Sequence, residues 1–580
     1  MKLVIVESPA KARQITVYLG EGWRVEACRG HVNDLPDDAL GVDVDADFRP
    51  TFIVLPGKGN LVKRLLKAIR EAEAIYVATD PDREGEAIAW HLLKLARIGK
   101  SQPVYRAAFH AITKTAVRDA IAHPRPLDLN LVEAQTARRI VDRLVGYLAS
   151  PLAANALVGR FSAGRVQSVC LRLVVERERE IANFTPQTYW TLALDLTVDG
   201  VPFTAKLHQV KGAEPNFSIR EPLDKLAALL GGAYLWVGRA GKTTRQRPPL
   251  PPFTTASLQQ AAAKGLGLSP ERTMTLAQTL YEAGWITYHR TDGVAVAPEA
   301  QTAAREYIER AYGTDYLPSE APIYTARSAN AQEAHEAIRP TDVSQVSNDV
   351  RAEGDSAALY GLIWQRFLAS QMAAAVYNVT GAQIYAGKQI GQPYPLEFRT
   401  QGRTLQFDGF LKVYEEPGDE DEDTPSDSLL PDLHEGQMLT LVTPQIAEHE
   451  TRAPARYTEA ALIAALERNG VGRPSTYATM LKTVRERGYV RLQQKRLIPT
   501  DEGIRLCDFL TRHFNAVLAV DYTARLEAQL DAVAQGKITR LDVLREFWSA
   551  FQPQLTGAAA ALPPAPAPTP RPLLLHPVED

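Results

Sequence analysis

The chain is poor in cysteine, and its cysteines form no metal-binding or disulfide pattern. Cys28, Cys170 and Cys507 are far apart in a chain of 580 residues, and no Cys-x-x-Cys pair occurs. Zinc ribbons need such pairs, and disulfide frameworks need an even set of cysteines at suitable spacing. We therefore expect reduced thiols, no bound zinc and a cytoplasmic protein.

Long apolar runs and a nucleotide-binding loop are also missing. The apolar stretch Leu3–Val6 stops at Glu7, which is too short for a signal peptide, and no run is long enough for a membrane helix. Gly238–Thr243 ends in Gly-Lys-Thr, but Trp236 stands where a phosphate-binding loop requires its first glycine. We interpret this segment as a turn between strands and expect neither membrane contact nor ATP binding.

An excess of basic charge, typical of nucleic-acid-binding proteins, is absent from the average composition. The formal net charge is −3, yet residues 415–427 carry eight acidic residues and no basic ones, and without them the chain stands at +5. Such a run of like charges is typical of a disordered loop. The average charge therefore excludes no partner class.

Two apolar, β-rich runs each end at carboxylates. Residues 2–6 lead into Glu7, and residues 74–78 lead into Asp80 and Asp82, followed by a helix-like segment at 85–95. In α/β folds, ligands bind beyond the carboxyl ends of parallel strands. The pattern predicts a polar site built from both strand ends.

The rest of the chain alternates between helical and β-rich regions, and its length predicts several domains. Residues 130–182 and 255–374 are predicted as helices, and 188–208 and 376–413 as strands. This order indicates a helical domain inserted into a β-rich one. Residues 456–500 are typical of two helices and a short hairpin, close to a winged-helix arrangement.

Four motifs occur in an order that suggests one chemistry. They are Glu7-Ser8-Pro9-Ala10-Lys11-Ala12, Asp80-Pro81-Asp82-Arg83-Glu84-Gly85-Glu86, Thr287-Tyr288-His289-Arg290-Thr291-Asp292 and Glu333-Ala334-His335-Glu336-Ala337-Ile338-Arg339-Pro340. A phenol, with a pKa near ~10, is a weak nucleophile that cationic neighbours would activate. Clustered carboxylates raise one another's pKa, and carboxylate oxygens suit Mg²⁺. Each motif alone also fits core packing, a helix N-terminus or a solvated helix face.

Taken together, the ordered motifs resemble the type IA DNA topoisomerases, in particular their bacterial topoisomerase I branch, over about Met1 to Phe551. The resemblance implies a multidomain fold with α/β, all-α and β-rich parts, in which a Toprim domain joins a toroidal core. It also implies ATP-independent relaxation of negatively supercoiled DNA. One strand is cleaved through a 5′-phosphotyrosine, another strand passes, and the break is resealed.

The resemblance assigns roles to individual residues. Tyr288 is the nucleophile, Glu7 the general acid, and the implied cofactor is Mg²⁺. The other catalytic residues are Lys11, Arg290 and His335. The metal ligands are Glu7, Asp80, Asp82 and Glu84.

The resemblance also implies a set of DNA-contacting residues. The segments 138–143, 162–168 and 472–477 match a single-strand groove, where contacts are expected mainly to the backbone and to stacked bases. The implied contact residues are His31, Arg83, Arg138, Arg139, Asp142, Ser162, Ala163, Gly164, Arg165, Val166, Gln167, Arg473, Tyr477 and Arg491. The expected partner is a single-stranded region of negatively supercoiled duplex. We further expect a monomer that works at the nucleoid.

The same resemblance divides the chain into seven segments. They are a Toprim domain (1–125), a DNA-binding helical domain (126–187), a β-rich arch (188–248), an inserted helical domain with the tyrosine (249–375), the second part of the arch (376–450), the second part of the DNA-binding domain (451–555) and a disordered Pro/Ala-rich tail (556–580).

The chain departs from the family pattern at a few positions. Gly293 stands where serine is common, His289 where methionine is common and Ala111 where glutamate is common. No cysteine-rich zinc module follows the core, so we expect a short form whose strand passage is limited or needs another protein. Three alternatives stay open: decatenation, as in the topoisomerase III branch, a single-strand-binding protein without turnover, and a Toprim nuclease.

Overall fold

The protein is described by a computed structural model that covers residues 1–98, 102–325, 336–346, 353–416 and 430–562. The chain forms two compact units. The first combines Met1–Val175 with Ala461–Asp580, and the second is Glu176–Ala460. The seven predicted segments are finer than these two units and stay a prediction.

The first unit begins with a parallel sheet covered by helices. The strands are β1 (Lys2–Val6), β2 (Trp23–Ala27), β3 (Asn33–Asp34), β4 (Val42–Asp43), β5 (Arg49–Pro50), β6 (Ile53–Val54), β7 (Ile75–Val77) and β8 (Val104–Arg106). The helices are α1 (Pro9–Leu19), α2 (Gly59–Glu71), α3 (Arg83–Ala96) and α4 (Lys114–Ala122).

The main sheet has the order β2-β1-β7-β8, and all neighbours pair in parallel. Its core contains Leu3, Ile5, Ile75 and Val77, packed against Leu92 of α3. The predicted strands at 2–6 and 74–78 and the helix after Asp82 are confirmed. Two long helices follow, α5 (Leu129–Leu157) and α6 (Arg165–Ala182), as predicted for 130–182.

The second unit is a closed antiparallel sheet with an inserted helical block. Its strands are β9 (Thr188–Val198), β10 (Val201–Val210), β11 (Tyr234–Arg247), β12 (Ala375–Gln389), β13 (Gln392–Pro393), β14 (Leu396–Phe407) and β15 (Met438–Glu450). Its helices are α7 (Glu221–Leu230), α8 (Thr255–Gly265), α9 (Pro270–Glu282), α10 (Pro298–Tyr312) and α11 (Asp355–Ser370). The strand order is β11-β15-β9-β10-β14-β12-β13, and β11 also pairs with β12. That extra pairing removes two free edges.

The interpretation of Gly238–Thr243 as a turn was wrong. The segment lies within β11 and pairs with β12 across a bulge between Val237 and Arg239. A Cβ atom at Gly238 would lie 2.1 Å from the ring of Tyr385. Gly238 lacks a side chain because the strand bulges here and the ring of Tyr385 lies close to the backbone. In the sequence alone, such a glycine cannot be distinguished from one that marks a turn.

The C-terminal part of the first unit contains α12 (Glu459–Arg468), α13 (Tyr477–Glu486), β16 (Val490–Gln493), β17 (Arg496–Pro499), α14 (Asp501–Leu518), α15 (Val520–Ala534) and α16 (Arg540–Ala560). The predicted pair of helices and hairpin at 456–500 is confirmed. Helix α16 continues to Ala560, so a disordered tail beginning at Thr556 was wrong for those residues.

Some predictions fall outside the described residues. These concern His335, most of the acidic run 415–427, and the tail beyond residue 562. Among the helices that the structure describes, none has both the length and the apolar composition needed to cross a membrane.

Candidate active site and DNA-binding residues

Glu7 and Asp80 meet where two neighbouring parallel strands end. β1 pairs with β7 through Ile5 and Val77, so the residues after each strand emerge at the same sheet edge. The Glu7 carboxylate accepts a hydrogen bond from the backbone N–H of Asp80 at 2.9 Å. Burial and the negative charge of Asp80 raise the pKa of Glu7 to about 8. Glu7 therefore holds a proton at neutral pH, as a general acid must.

Lys11 lies in the first turn of α1, where Ser8 caps the helix by accepting the Lys11 backbone N–H at 3.2 Å. Its ammonium group donates to the carboxylate of Asp80, and the lysine is 2% exposed. The pairing offsets one carboxylate of the cluster.

The Asp80 turn depends on a glycine. The Asp82 carboxylate caps α3 by accepting the backbone N–H of Gly85 at 2.8 Å. A Cβ atom at Gly85 would lie 2.1 Å from the carbonyl oxygen of Asp80. Any larger residue would therefore have to move the backbone of Asp80.

Arg106, which the sequence analysis did not identify, supports the same turn from β8. Its guanidinium donates to the carbonyl of Asp80 at 2.6 Å, to that of Val77 at 3.1 Å and to the carboxylate of Glu86 at 3.0 Å. Glu86 is fully buried. In the sequence, the one sign that a buried basic partner was needed is Glu86, the second glutamate of the Asp80–Glu86 motif. Nothing near Arg106 in the sequence indicates that β8 places it against Glu86.

Glu84 is held by His31 and Gln135. The side chains of Glu84 and His31 lie 2.7 Å apart, and Gln135 donates to Glu84 at 3.3 Å. Burial would raise the pKa of Glu84, but the hydrogen bond and charge of His31 lower it to about 2. Burial opposes protonation of His31, yet Glu84 raises its pKa. Both residues line a polar cavity of about 210 Å³.

The carboxylates present are chemically suited to a divalent cation, although no three His, Cys, Asp or Glu side chains of the described ranges come together in a metal-binding group. Mg²⁺ typically takes one or two carboxylates plus water and phosphate, and Asp80 and Asp82 supply such a pair. A cation bound to Asp80 would compete with Lys11 for its carboxylate.

Two predicted DNA-contacting arginines are buried and paired with acids. Arg165 donates to Asp142 at 2.9 Å and to Glu527 at 2.6 Å, and Arg138 lies 3.7 Å from Glu527. Burial would raise the pKa of Glu527, but Arg138 and Arg165 hold it well below its usual value. Arg165 is 1% exposed. Arg138 and Arg165 are therefore structural framework residues, held in buried ion pairs.

Arg83 and Arg473 meet at a second buried acid. Arg83 donates to one oxygen of Asp531 at 2.7 Å, and Arg473 donates to the other at 3.2 Å. Glu527 and Asp531 both lie on α15, one turn apart. Sequence reasoning missed both acids, because two carboxylates four residues apart also fit an ordinary solvated helix face.

The other predicted DNA contacts differ in accessibility. Arg491 is exposed on β16, whereas Val166 and Tyr477 are buried. Arg139 makes a two-pronged ion pair with Asp34 at 2.8 and 2.9 Å. The backbone N–H groups of Ser162, Ala163 and Gly164 donate to Tyr489, Ser150 and Ser168, and Gln167 lines a small cavity beside them.

In the second unit, Tyr288 is held within an aromatic group. It is 2% exposed, and its ring centroid lies 5.2 Å from that of Tyr281 and 5.3 Å from that of His289. Both neighbours meet it edge to face. Arg290, two residues further on, is half-buried.

Two buried threonines anchor the backbone on either side of Tyr288. Thr255 donates to the carbonyl of His289 at 2.8 Å and accepts the backbone N–H of Thr291 at 2.9 Å. Thr287 donates to the carbonyl of Ala337 at 2.7 Å. The Tyr288 segment is thereby tied to the start of α8 and to the chain that follows His335.

Comparison with known proteins identifies the family. A model described as DNA topoisomerase matches residues 126–545, and a Toprim domain model matches residues 2–112. The chain belongs to the type IA DNA topoisomerase family. Toprim domains are associated with divalent metals, in agreement with the donor set at Asp80 and Asp82.

Individual topoisomerases extend the match over nearly the whole chain. DNA topoisomerase 1 of Zymomonas mobilis is 44% identical over 563 residues, which cover 96% of this chain but 46% of that protein. The structure of full-length topoisomerase I from Thermotoga maritima is 37% identical, with a TM-score of 0.83, and the match covers 95% of this chain and 90% of that one. The predicted fold class is confirmed, and the chain spans less than half the length of the Zymomonas relative.

Proposed function

We propose that this topoisomerase-family chain relaxes negatively supercoiled DNA by cleaving, passing and resealing single strands, without ATP. The observation that carries the proposal is the contact group of Glu7, Lys11 and Asp80 at the ends of β1 and β7. It supplies a protonated acid beside a cation, as phosphodiester cleavage with an alkoxide leaving group needs.

Cleavage begins with the phenolic oxygen of Tyr288. It attacks the DNA phosphorus, the bond from phosphorus to the 3′-oxygen breaks, and Glu7 transfers its proton to that oxygen. The phenolic proton passes to solvent. The product is a 5′-phosphotyrosine and a free 3′-hydroxyl, and the reverse steps reseal the strand. Since the phosphotyrosine ester conserves the energy of the broken bond, no nucleotide is consumed.

Cationic groups assist the transfer. We assign Lys11, Arg290 and His335 to the phosphate, where positive charge offsets the charge that builds up in the transition state. Asp80 and Asp82, with Glu7 and Glu84 as further candidates, would hold Mg²⁺. When bound, the ion supplies positive charge close to the DNA backbone.

For DNA binding we separate framework residues from contact residues. Buried Arg138 and Arg165 hold the groove together through Glu527, whereas exposed Arg491 is available to phosphates. In the single-strand groove, the other candidates at 138–143, 162–168 and 472–477 act through accessible backbone and side-chain groups. We propose that the partner is a single-stranded region of supercoiled duplex and that the chain works as a cytoplasmic, nucleoid-associated monomer.

The test is relaxation of a negatively supercoiled plasmid with Mg²⁺ and without ATP. Wild type should yield a ladder of topoisomers and a covalent adduct after denaturation, and Tyr288→Phe should yield neither. Tyr307→Phe, which removes a hydroxyl from the same helical block, is the matched control. Equal activity of wild type and Tyr288→Phe would contradict the proposal. Cleavage of DNA without a covalent adduct would indicate a Toprim nuclease. An adduct without topoisomers would mean that strand passage requires residues outside this chain.

A further inference from the structure

The hairpin of β16 and β17 has one cationic face. Gln493 pairs with Arg496 across a tight turn whose central residues, Gln494 and Lys495, have φ of 48° and 61°. Positive φ at both positions matches the twist of the strands and makes the turn compact. Paired positions share a face, so Arg491 and Arg496 lie on one side of the hairpin, and the buried Val490, Leu497 and Pro499 lie on the other.

The charge on this face stands out from the rest of the chain. Residues 482–496 contain six basic residues and one acidic residue, in a protein whose net charge is −3. Arg491, Lys495 and Arg496 are exposed. Across the described ranges, Arg491 and Lys495 take part in no ion pair, whereas the groove arginines are neutralised by Glu527 and Asp531. At Arg491 and Lys495, the hairpin therefore presents positive charge that no ion pair of the described residues offsets.

The base of the hairpin is fastened to the proposed single-strand groove. Tyr489, which immediately precedes β16, accepts the backbone N–H of Ser162 at 2.8 Å and stacks on Phe161 with an interplanar angle of 2°. Its carbonyl also accepts the backbone N–H of Thr500 at 3.0 Å, at the other end of the hairpin. The base of the hairpin is therefore fixed beside Ser162, one of the proposed single-strand contacts.

The chemistry of the hairpin suits phosphates and not bases. Proteins that bind single strands combine positive charge with aromatic rings on which bases stack, and residues 490–499 include no aromatic side chain. A rigid face of cations instead fits the regular phosphate backbone of a duplex. We propose that the β16–β17 hairpin binds the duplex that flanks the single-stranded segment. This inference rests on the proposed function, since it takes the groove at Ser162 to hold the single strand.

The test compares two double variants. The hairpin variant carries Lys495→Gln and Arg496→Gln, and the control variant carries Lys63→Gln and Arg70→Gln. The control removes the same charge from exposed positions on α2, in the same unit. Binding to a DNA hairpin with a single-stranded tail, and to the tail alone, is measured by fluorescence anisotropy over a series of salt concentrations. A Tyr288→Phe background prevents cleavage. Covalent adduct formation on the tail alone is then measured with Tyr288 restored.

For the duplex-containing substrate, the slope of log affinity against log salt should fall in magnitude by about 1.8 in the hairpin variant, for two lost phosphate contacts. The tail alone should bind and form adduct as before, and the α2 control should match wild type on both substrates. An equal fall of slope on the tail alone would place the hairpin on the single strand and overturn the inference. An unchanged slope on both substrates would also overturn it. Absence of adduct in every protein would instead refute the proposed function.

Discussion

Arg165 and Glu527 form an ion pair at 2.6 Å with both side chains fully buried. Arg138, at 3.7 Å from the same carboxylate, and Asp142, at 2.9 Å from Arg165, complete the group. Buried charges of this kind are tolerated only when each has its partners. The pair therefore links α5 and α6 to α15, which lies more than three hundred residues later in sequence.

Glu527→Gln should destabilise the protein by about 3 kcal/mol, because it removes the buried negative charge that Arg138 and Arg165 share and leaves Arg165 with Asp142 alone. Glu546→Gln, at an exposed position on α16, is the matched control and should change stability by less than about 0.5 kcal/mol. The free energy of unfolding is measured with urea. Equal stability of the two variants would show that water already compensates the arginines.

Adduct formation should depend on a proton held by Glu7. With its pKa raised to about 8 by burial and Asp80, Glu7 is protonated below that pH and loses its proton as the pH rises through it. The ratio of wild-type to Glu7→Gln cleavage rates, on a single-stranded oligonucleotide without added metal, should be largest below about pH 8 and fall above it. Tyr288 becomes a better nucleophile as the pH rises, in wild type and in Glu7→Gln alike. Taking the ratio of the two rates cancels this effect. A ratio that rises with pH would assign Glu7 a different role.

The same shift has a consequence for stability. Because the pKa of Glu7 is raised above its unfolded value of 4.5, the folded state binds a proton that the unfolded state has lost between these two pH values. Wild type should therefore lose stability relative to Glu7→Gln as the pH rises from about 5 to about 8. The free energy of unfolding of both proteins is measured with urea at pH 5 and pH 8. A difference between the two proteins that is the same at both pH values would contradict the prediction.

Gly85→Ala should lower the cleavage rate by about 100-fold while the fold persists. The added methyl group would lie 2.1 Å from the Asp80 carbonyl, so the turn that carries Asp80 must shift. A displacement of about 1 Å at a reacting group can lower the rate by about 100-fold. Gly59→Ala, at a helical position with open space around its Cβ, is the control. Near-normal adduct formation by Gly85→Ala would mean that Asp80 need not hold its position.

Thr287→Val should slow adduct formation more than Thr287→Ser. Valine keeps the shape but leaves the backbone N–H of Arg339 and the carbonyl of Ala337 without their hydroxyl partner. Leaving such groups unsatisfied costs about 1–3 kcal/mol and loosens the segment that holds Tyr288. Serine retains the hydroxyl and should restore most of the rate. Identical single-turnover rates for Val and Ser would indicate that the hydroxyl does not position the tyrosine.

Local patterns accounted for much of the architecture. The strands before Glu7 and Asp80, the helix that begins at Arg83, and the helices and hairpin at 456–500 follow from apolar periodicity, capping residues and turn residues. The ordered motifs also determined the family, because each was complete in the linear sequence. Glycines misled at Gly238, where a bulge and a ring contact require the same residue that a turn would favour.

The tertiary structure alone decided which charges are available. Arg138, Arg165 and Arg473 are indistinguishable in sequence from the exposed Arg491, yet Glu527 and Asp531 reach the first three from a distant helix. Arg106 beneath Asp80, and Thr255 beside the Tyr288 segment, likewise come from remote elements. Sequence by itself determined the candidate reactive groups and their order, since those depend on side-chain chemistry. Burial and long-range pairing, which depend on how strands and helices meet, decided which of these groups are buried in ion pairs and which are exposed.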